Sequence, residues 1–160
     1  MPNYCFNGFS IIGNDQEEID RFHDFILASG RPFDFNLFIP APADADEQSR
    51  FKTNVTDEGT EIVDFYDWYV DNWGTDVRNA CDVEIYVYRP NVLYINFETA
   101  WSPPLGVFEK MGQMFPTLAF TGCYDEPDMG INGSWETRNG NFVYVDLPYS
   151  VDEDEDEVQR

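Results

Sequence analysis

Carboxylates are the side chains of this 160-residue chain whose spacing bears most directly on chemistry. Asp57, Glu61, Asp64, Asp67, Asp71 and Asp76 recur at intervals of three to five, with no lysine or arginine from Asn54 to Val77. On a helix, carboxylates three or four residues apart stand about 5–6 Å from their neighbours. At a rise of about 1.5 Å per residue, the run from Asp57 to Asp71 extends about 21 Å, a spacing akin to a row of phosphates on one nucleic-acid strand. Such a row does no covalent chemistry. It is complementary to a cationic groove, so the expected partner is a basic nucleic-acid-binding host protein or complex, while the same field repels nucleic acid itself.

The inventory for catalysis is thin. His23 is the sole histidine, and Cys5, Cys81 and Cys123 carry no local nucleophile signature. Asp44-x-Asp46-Glu47 and Asp125-Glu126-x-Asp128 are carboxylate-rich, but neither has the fixed glycine and terminal glutamate of a calcium loop. No glycine-rich phosphate loop or dinucleotide fingerprint occurs. The expectation is a protein that is not an enzyme, with no catalytic residues, cofactor or metal site. Tyr86, Tyr88, Tyr94 and Trp101 offer rings of the kind that stack on bases. The negative field opposes that use, so core packing is their expected role.

Charge reinforces the partner argument. Thirty-one Asp and Glu against nine Lys and Arg give −22, far beyond the net charge of about 2–8 that keeps a small domain soluble. The last ten residues hold six acids and one arginine, so −17 remains on residues 1–150. With 42% hydrophobic and 17% aromatic residues that body must fold. The reading is a single domain over 1–150 with a disordered acidic tail over 151–160, where the run Asp152 to Glu157 stays solvated. Three widely spaced cysteines fit neither a disulfide framework nor a zinc pattern and suggest buried, reduced thiols. With no secretory leader pattern and no apolar run near the ~20 residues of a membrane span, a cytoplasmic protein without membrane contact is expected.

The elements that position these residues follow from periodicity. Asn3 to Gly13 reads as a strand, and Asp15 with Glu18 caps a helix over about 15–29 through Ile19, Phe22 and Ile26. Residues 31–47, with Pro32, Pro40 and Pro42, form an extended connector. Ile62, Phe65, Tyr66, Tyr69, Val70 and Trp73 predict a helix over 57–73 that Gly74 ends. Val83 to Tyr88 and Val92 to Phe97 form a hairpin across Arg89-Pro90-Asn91. Ser102 caps a third helix through Val107, Phe108, Met111 and Met114, and strands follow at 117–124, 133–137 and 142–145.

Several short motifs are shared with a known family. They are Pro2-Asn3-Tyr4-Cys5, Phe33-Asp34-Phe35-Asn36, Ile39-Pro40-Ala41-Pro42, Asn72-Trp73-Gly74-Thr75 and Phe97-Glu98-Thr99-Ala100-Trp101-Ser102-Pro103-Pro104, continued by Phe115-Pro116, Leu118, Phe120, Tyr124, Glu126, Gly130 and Gly133. In these, over roughly residues 2–135, the chain resembles the YubB-like family of small plasmid and phage proteins with a ferredoxin-like domain. The resemblance implies an α+β fold: a ferredoxin-like antiparallel sheet with helices packed on one face, here with an inserted acidic amphipathic helix. It implies a mobile-element habitat and supplies no enzymatic activity or catalytic residues. Asp76-Val77 stands where a lysine and an aromatic residue are usual in that family, which adds negative charge beside the acidic segment.

Together these features lead to a non-enzymatic mobile-element protein that inhibits a host nucleic-acid-acting defence system, a CRISPR or restriction nuclease, by nucleic-acid mimicry. The rivals are a small metal- or nucleotide-dependent enzyme and an accessory domain adapted to high salt. Oligomeric state is left open.

Overall fold

Alternation along the first strand decides the architecture. In β1 (Tyr4–Ile12), Cys5, Asn7, Phe9 and Ile11 are buried on one face, and Phe6 and Ile12 are exposed on the other. The computed structural model describes residues 3–45, 51–76 and 79–148; the acidic tail expected over 151–160 lies outside them. After β1 come α1 (Gln16–Ile26), a short 3-10 turn (Phe35–Leu37), β2 (Phe51–Thr56), β3 (Gly59–Asp64) and α2 (Tyr66–Asn72). Then follow β4 (Cys81–Arg89), β5 (Val92–Ala100), α3 (Leu105–Met114), β6 (Ala119–Glu126), β7 (Ile131–Arg138) and β8 (Asn141–Asp146).

Six strands form one antiparallel sheet in the order β4-β5-β1-β6-β7-β8. Within it β1-α1-β4-β5-α3-β6 traces the β-α-β-β-α-β path of a ferredoxin-like domain, which β7 and β8 widen. The fold class is ferredoxin-like α+β, as the resemblance implied. A separate β2–β3 hairpin and α2 are inserted between α1 and β4. Among the described residues no helix is long and apolar enough to cross a membrane.

The core lies between the buried sheet face and the helices. Phe9 contacts the rings of Phe33, Phe97, Phe108, Phe120 and Trp135 at centroid distances of 5.4, 6.2, 5.7, 6.4 and 5.4 Å. α1 adds Ile19, Phe22 and Ile26; α3 adds Val107, Phe108 and Met111, with Phe108 stacked on Trp135 at 4.0 Å. At the α1 N-terminus the Asp15 carboxylate accepts from the Glu18 N–H (2.9 Å), and Glu18 accepts from the Asn14 N–H (2.7 Å) and the Thr117 hydroxyl. The helix ends at Ile26, three residues short of the expected boundary, and Gly30 lies in the turn beyond it.

The motif residues prove to be fasteners between elements. Trp73 Nε1 donates to the Ile39 carbonyl (2.9 Å), Thr75 to that of Ala100 (2.6 Å), and Ser102 to that of Gly74 (2.7 Å). Gly106 closes this junction: its N–H donates to the Trp73 carbonyl at 3.2 Å, and a Cβ there would lie 2.0 Å from the Asn72 oxygen. Ser102 therefore does not cap α3 as expected, because its hydroxyl is committed to Gly74, and Pro104 holds the cap position. A second clamp joins the connector to β4. Asp34 accepts from the Asn36 N–H (3.0 Å) and Asn79 Nδ2 (2.7 Å), while Asn79 Oδ1 accepts from the N–H groups of Phe35 and Ala80 (both 2.9 Å).

One predicted element divides. The expected helix over 57–73 is helical only from Tyr66 to Asn72; Gly59–Asp64 is a strand paired with Phe51–Thr56. Thr53, Val55, Thr56, Thr60, Ile62 and Val63 are β-branched, and Asp57-Glu58-Gly59 supplies a turn, so a hairpin is favoured there. The helical period was carried by Phe65, Tyr66, Tyr69, Val70 and Trp73, with Ile62 in phase by coincidence. Gly74 follows the helix with φ +90°, as its expected role as terminator requires.

Two stability outcomes follow from the fasteners. Gly106→Ala forces a methyl group into a backbone carbonyl and lowers the denaturant midpoint by an amount equivalent to about 1–3 kcal/mol or more. Asp34→Ala leaves Asn79 Nδ2 without this acceptor and costs about 1–3 kcal/mol near neutral pH. Burial acts to raise the Asp34 pKa, but hydrogen bonds from Asn36 and Asn79 outweigh it and hold the carboxyl below its usual 3.8. A depressed pKa contributes stability above the unfolded value that disappears as pH falls through the folded one. Denaturation across that range should show the gap between wild type and Asp34→Ala narrowing below pH 3.8.

Candidate functional site

The inserted arm gathers the carboxylates singled out in the sequence, but not in one line. Asp57 and Glu58 occupy the hairpin turn, Glu61 and Asp64 lie in β3, Asp67 and Asp71 lie on α2, and Asp76 follows it. All but Asp76 are exposed, and Asp76 is half-buried. Residues three apart on a strand face opposite sides, so Glu61 and Asp64 point away from each other, whereas Asp67 and Asp71 share one helical face. The register pairs Glu61 with Asn54, and Asp64 with Phe51. Phe51, Val55 and Ile62 are exposed on the hairpin face that carries Asp64. The expected continuous stripe, which required a helix from Asp57, is therefore replaced by acids spread around an arm with an apolar strip.

A second surface was not anticipated. Among the described residues no helix covers the sheet face opposite the core, and its cross-strand rows can be read from the register. One row runs Glu84, Asn96, Gly8, Cys123, Ser134, Val145, and the next contains Tyr86, Tyr94, Ser10, Thr121, Glu136 and Val143. A third contains Glu98, Phe6, Asp125 and Asn132. A cleft of about 440 Å³ opens here, lined by Asp82, Glu84, Glu98 and Asp125 among others; among the described residues its lining holds no lysine, arginine or histidine. Over Gly8, which lines it, two side chains close in: a Cβ there would stand 2.8 Å from both Asn96 Oδ1 and the Tyr94 hydroxyl.

Three tyrosines flank the cleft. Tyr88 lies 6.1 Å from Tyr86 and 6.2 Å from Tyr94 between ring centroids, and the Tyr86 hydroxyl donates to Glu84 at 2.8 Å. That hydrogen bond is the main reason the Tyr86 pKa is raised. Burial, then the neighbouring Asp82, raises that of Glu98. The core role expected for these rings does not hold: Tyr88 is 68% and Tyr86 40% exposed. The β4 alternation that packs Val83 and Ile85 turns Tyr86 and Tyr88 outward, and polar Ser10, Asn96 and Glu98 on the paired strands were the sequence signal that nothing covers them. Trp101, 39% exposed at φ +71°, does not line this cleft.

The thiols differ in state. Burial pushes the Cys5 thiol up to about 12, which leaves it protonated and unsuited to attack. Cys81 is half-buried and donates to the Glu98 carbonyl (3.3 Å). Cys123 is exposed in the cleft, contrary to the expectation of buried thiols. His23 is half-buried in the last turn of α1. Glu126, fully buried, accepts from the N–H groups of Asp128 (3.1 Å) and Met129 (2.7 Å), so its carboxylate organises a turn. Asp46 and Glu47 lie outside the described residues. Among the described residues no three His, Cys, Asp or Glu side chains are grouped to hold a metal ion.

Residues 82–160 match the family model for the ferredoxin-like domain in Api92-like protein. No curated protein matches the chain. Among solved structures it is similar to a crystal structure of protein api92 from Yersinia pseudotuberculosis, with a TM-score of 0.56 and 19% identity over 75% of this chain and 40% of that one. At that identity the likeness is one of fold, and this chain spans well under half of the other's length.

Accessibility of the sheet face has a direct readout. Under native conditions a maleimide reagent should label Cys123 rapidly and leave Cys5 unmodified until the protein unfolds, with sites assigned by peptide mass spectrometry. Equal protection of both thiols would mean that the face is covered.

Proposed function

We propose that this chain is a non-enzymatic binding protein of a plasmid or phage that inhibits a host nucleic-acid-acting defence system, a CRISPR or restriction nuclease, by occupying its basic surface. The observation that carries the reading is the charge: −22 on 160 residues, with acids exposed along the arm and around the sheet face. Self-repulsion of this size opposes folding and exceeds what solubility asks, so a cationic partner gives it a purpose.

The mechanism is competition through the protein's field. An arm strand of six residues is about 20 Å long at ~3.3 Å per residue, enough to enter a groove that holds nucleic acid. Because the acids surround the arm, mimicry here means supplying negative potential to a basic groove, with no phosphate-like register. Attraction of this kind accelerates association and weakens with salt. The plasmid or phage habitat is inferred from the motif resemblance to the YubB-like family.

The test is phage plating on host strains that carry individual CRISPR or restriction systems. Expression of the protein should raise plating efficiency by orders of magnitude on at least one strain. The folded variant Asp57→Asn/Glu61→Gln/Asp67→Asn/Asp71→Asn should lose most of that protection. Plating unchanged across systems of both kinds would overturn the reading.

A further inference from the structure

We propose that the open face of the six-stranded sheet receives an arginine side chain from a basic protein partner, its guanidinium lying against the tyrosines and between Glu84 and Glu98. This rests on the preceding reading only for the sign of the partner's charge; it assigns a specific pocket where that reading invokes a field.

Complementarity argues for this occupant. Four carboxylates line the cleft and, among the described residues, no basic side chain does, so a cation is the favoured guest and a phosphate backbone is repelled. Tyr94 lines the pocket, and Tyr86 and Tyr88 continue the connected set of rings along its rim; a cation over a ring face is attracted by its quadrupole. A planar guanidinium can stack on a ring while its edge donates to carboxylates, which an ammonium cannot do; arginine is thereby preferred to lysine. Gly8 lets the Asn96 amide and the Tyr94 hydroxyl settle close to the sheet as polar groups at the cleft floor, and exposed Phe6 in the adjoining row offers apolar surface for the methylene stem. The raised Glu98 pKa agrees, since burial and Asp82 together disfavour its charge until a cation arrives.

The experiment is an amide-resolved NMR titration of the intact protein with three probes: an oligoarginine peptide, an oligolysine peptide of the same length and a single-stranded oligonucleotide. Oligoarginine should perturb Gly8, Tyr94, Asn96 and Glu98 first and bind more tightly than oligolysine. Glu84→Gln/Glu98→Gln should weaken it roughly tenfold, the equivalent of about 1.4 kcal/mol. Tyr94→Ala, which removes the ring that lines the cleft, should abolish the preference for arginine. The control Asp24→Asn/Glu109→Gln, on exposed positions of α1 and α3 and losing the same charge, should bind like wild type, and the spectra show directly that each variant is folded.

Equal weakening by both double variants, or perturbations centred on the arm, would mean a diffuse field and overturn the pocket; so would preferential binding of the oligonucleotide. Phage plating is independent of these outcomes. Protection by a protein that lacks the pocket leaves the inhibitor reading standing, and a pocket without protection refutes that reading alone.

Discussion

Everything else in this molecule depends on the burial of Phe9 on one side of β1. Five aromatic rings converge on it, from the connector, β5, α3, β6 and β7. Because side chains alternate, a one-residue slip would exchange Phe9 for Gly8 or Ser10 at the centre of the core, so register is strongly specified. The same alternation determines what is left outside. With the aromatic bulk and the helices on one face, the other keeps Gly8, Ser10, Asn96 and Glu98, and the outward tyrosines of β4 have no roof.

The inserted arm is held by a different kind of interaction. Between α2 and α3 the grip is largely hydrogen bonds to backbone carbonyls and one close glycine approach, while Trp73 and Tyr69 anchor the helix in the core. The arm's acids are exposed on its outer surface, and one of them, Asp64, also accepts from the Tyr66 N–H (2.9 Å) at the start of α2. The open sheet face and the exposed arm arise from one arrangement, in which apolar burial fixes the sheet and roots α2, and directional hydrogen bonds fasten the segment that follows it.

The sheet was largely legible in the sequence. Strong alternation in β1, β4 and β5, the Asp15–Glu18 cap and the turn at Arg89-Pro90-Asn91 each has a local physical cause, and the motif resemblance supplied the topology. The arm was less legible, because a short helix and the strand before it produced a joint 3.6-residue period that β-branched side chains and a Gly-containing turn contradicted. The cleft was least legible. Its lining comes from β4, β5, β1 and β6, which meet only through the sheet order, and the tyrosines were assigned to the core because a ring's type does not reveal which face it occupies. The Asn-Trp-Gly-Thr and Ala-Trp-Ser-Pro-Pro segments stood out in the sequence, yet their contacts are those of a structural junction.

The central position of β1 has a consequence for biosynthesis. Its partner β5 begins at Val92, eighty residues after β1 ends at Ile12, and β6 begins later still, at Ala119. At translation rates of about 5–20 residues per second, roughly 4–16 s separate the synthesis of β1 from that of its first neighbour. Throughout that interval Phe9 and Ile11 have no sheet to join, and sticky strand edges of this kind invite association between nascent chains. Mutual repulsion among acid-rich chains on one messenger would keep them apart until the ladder closes, so the charge of the finished protein also bears on its assembly.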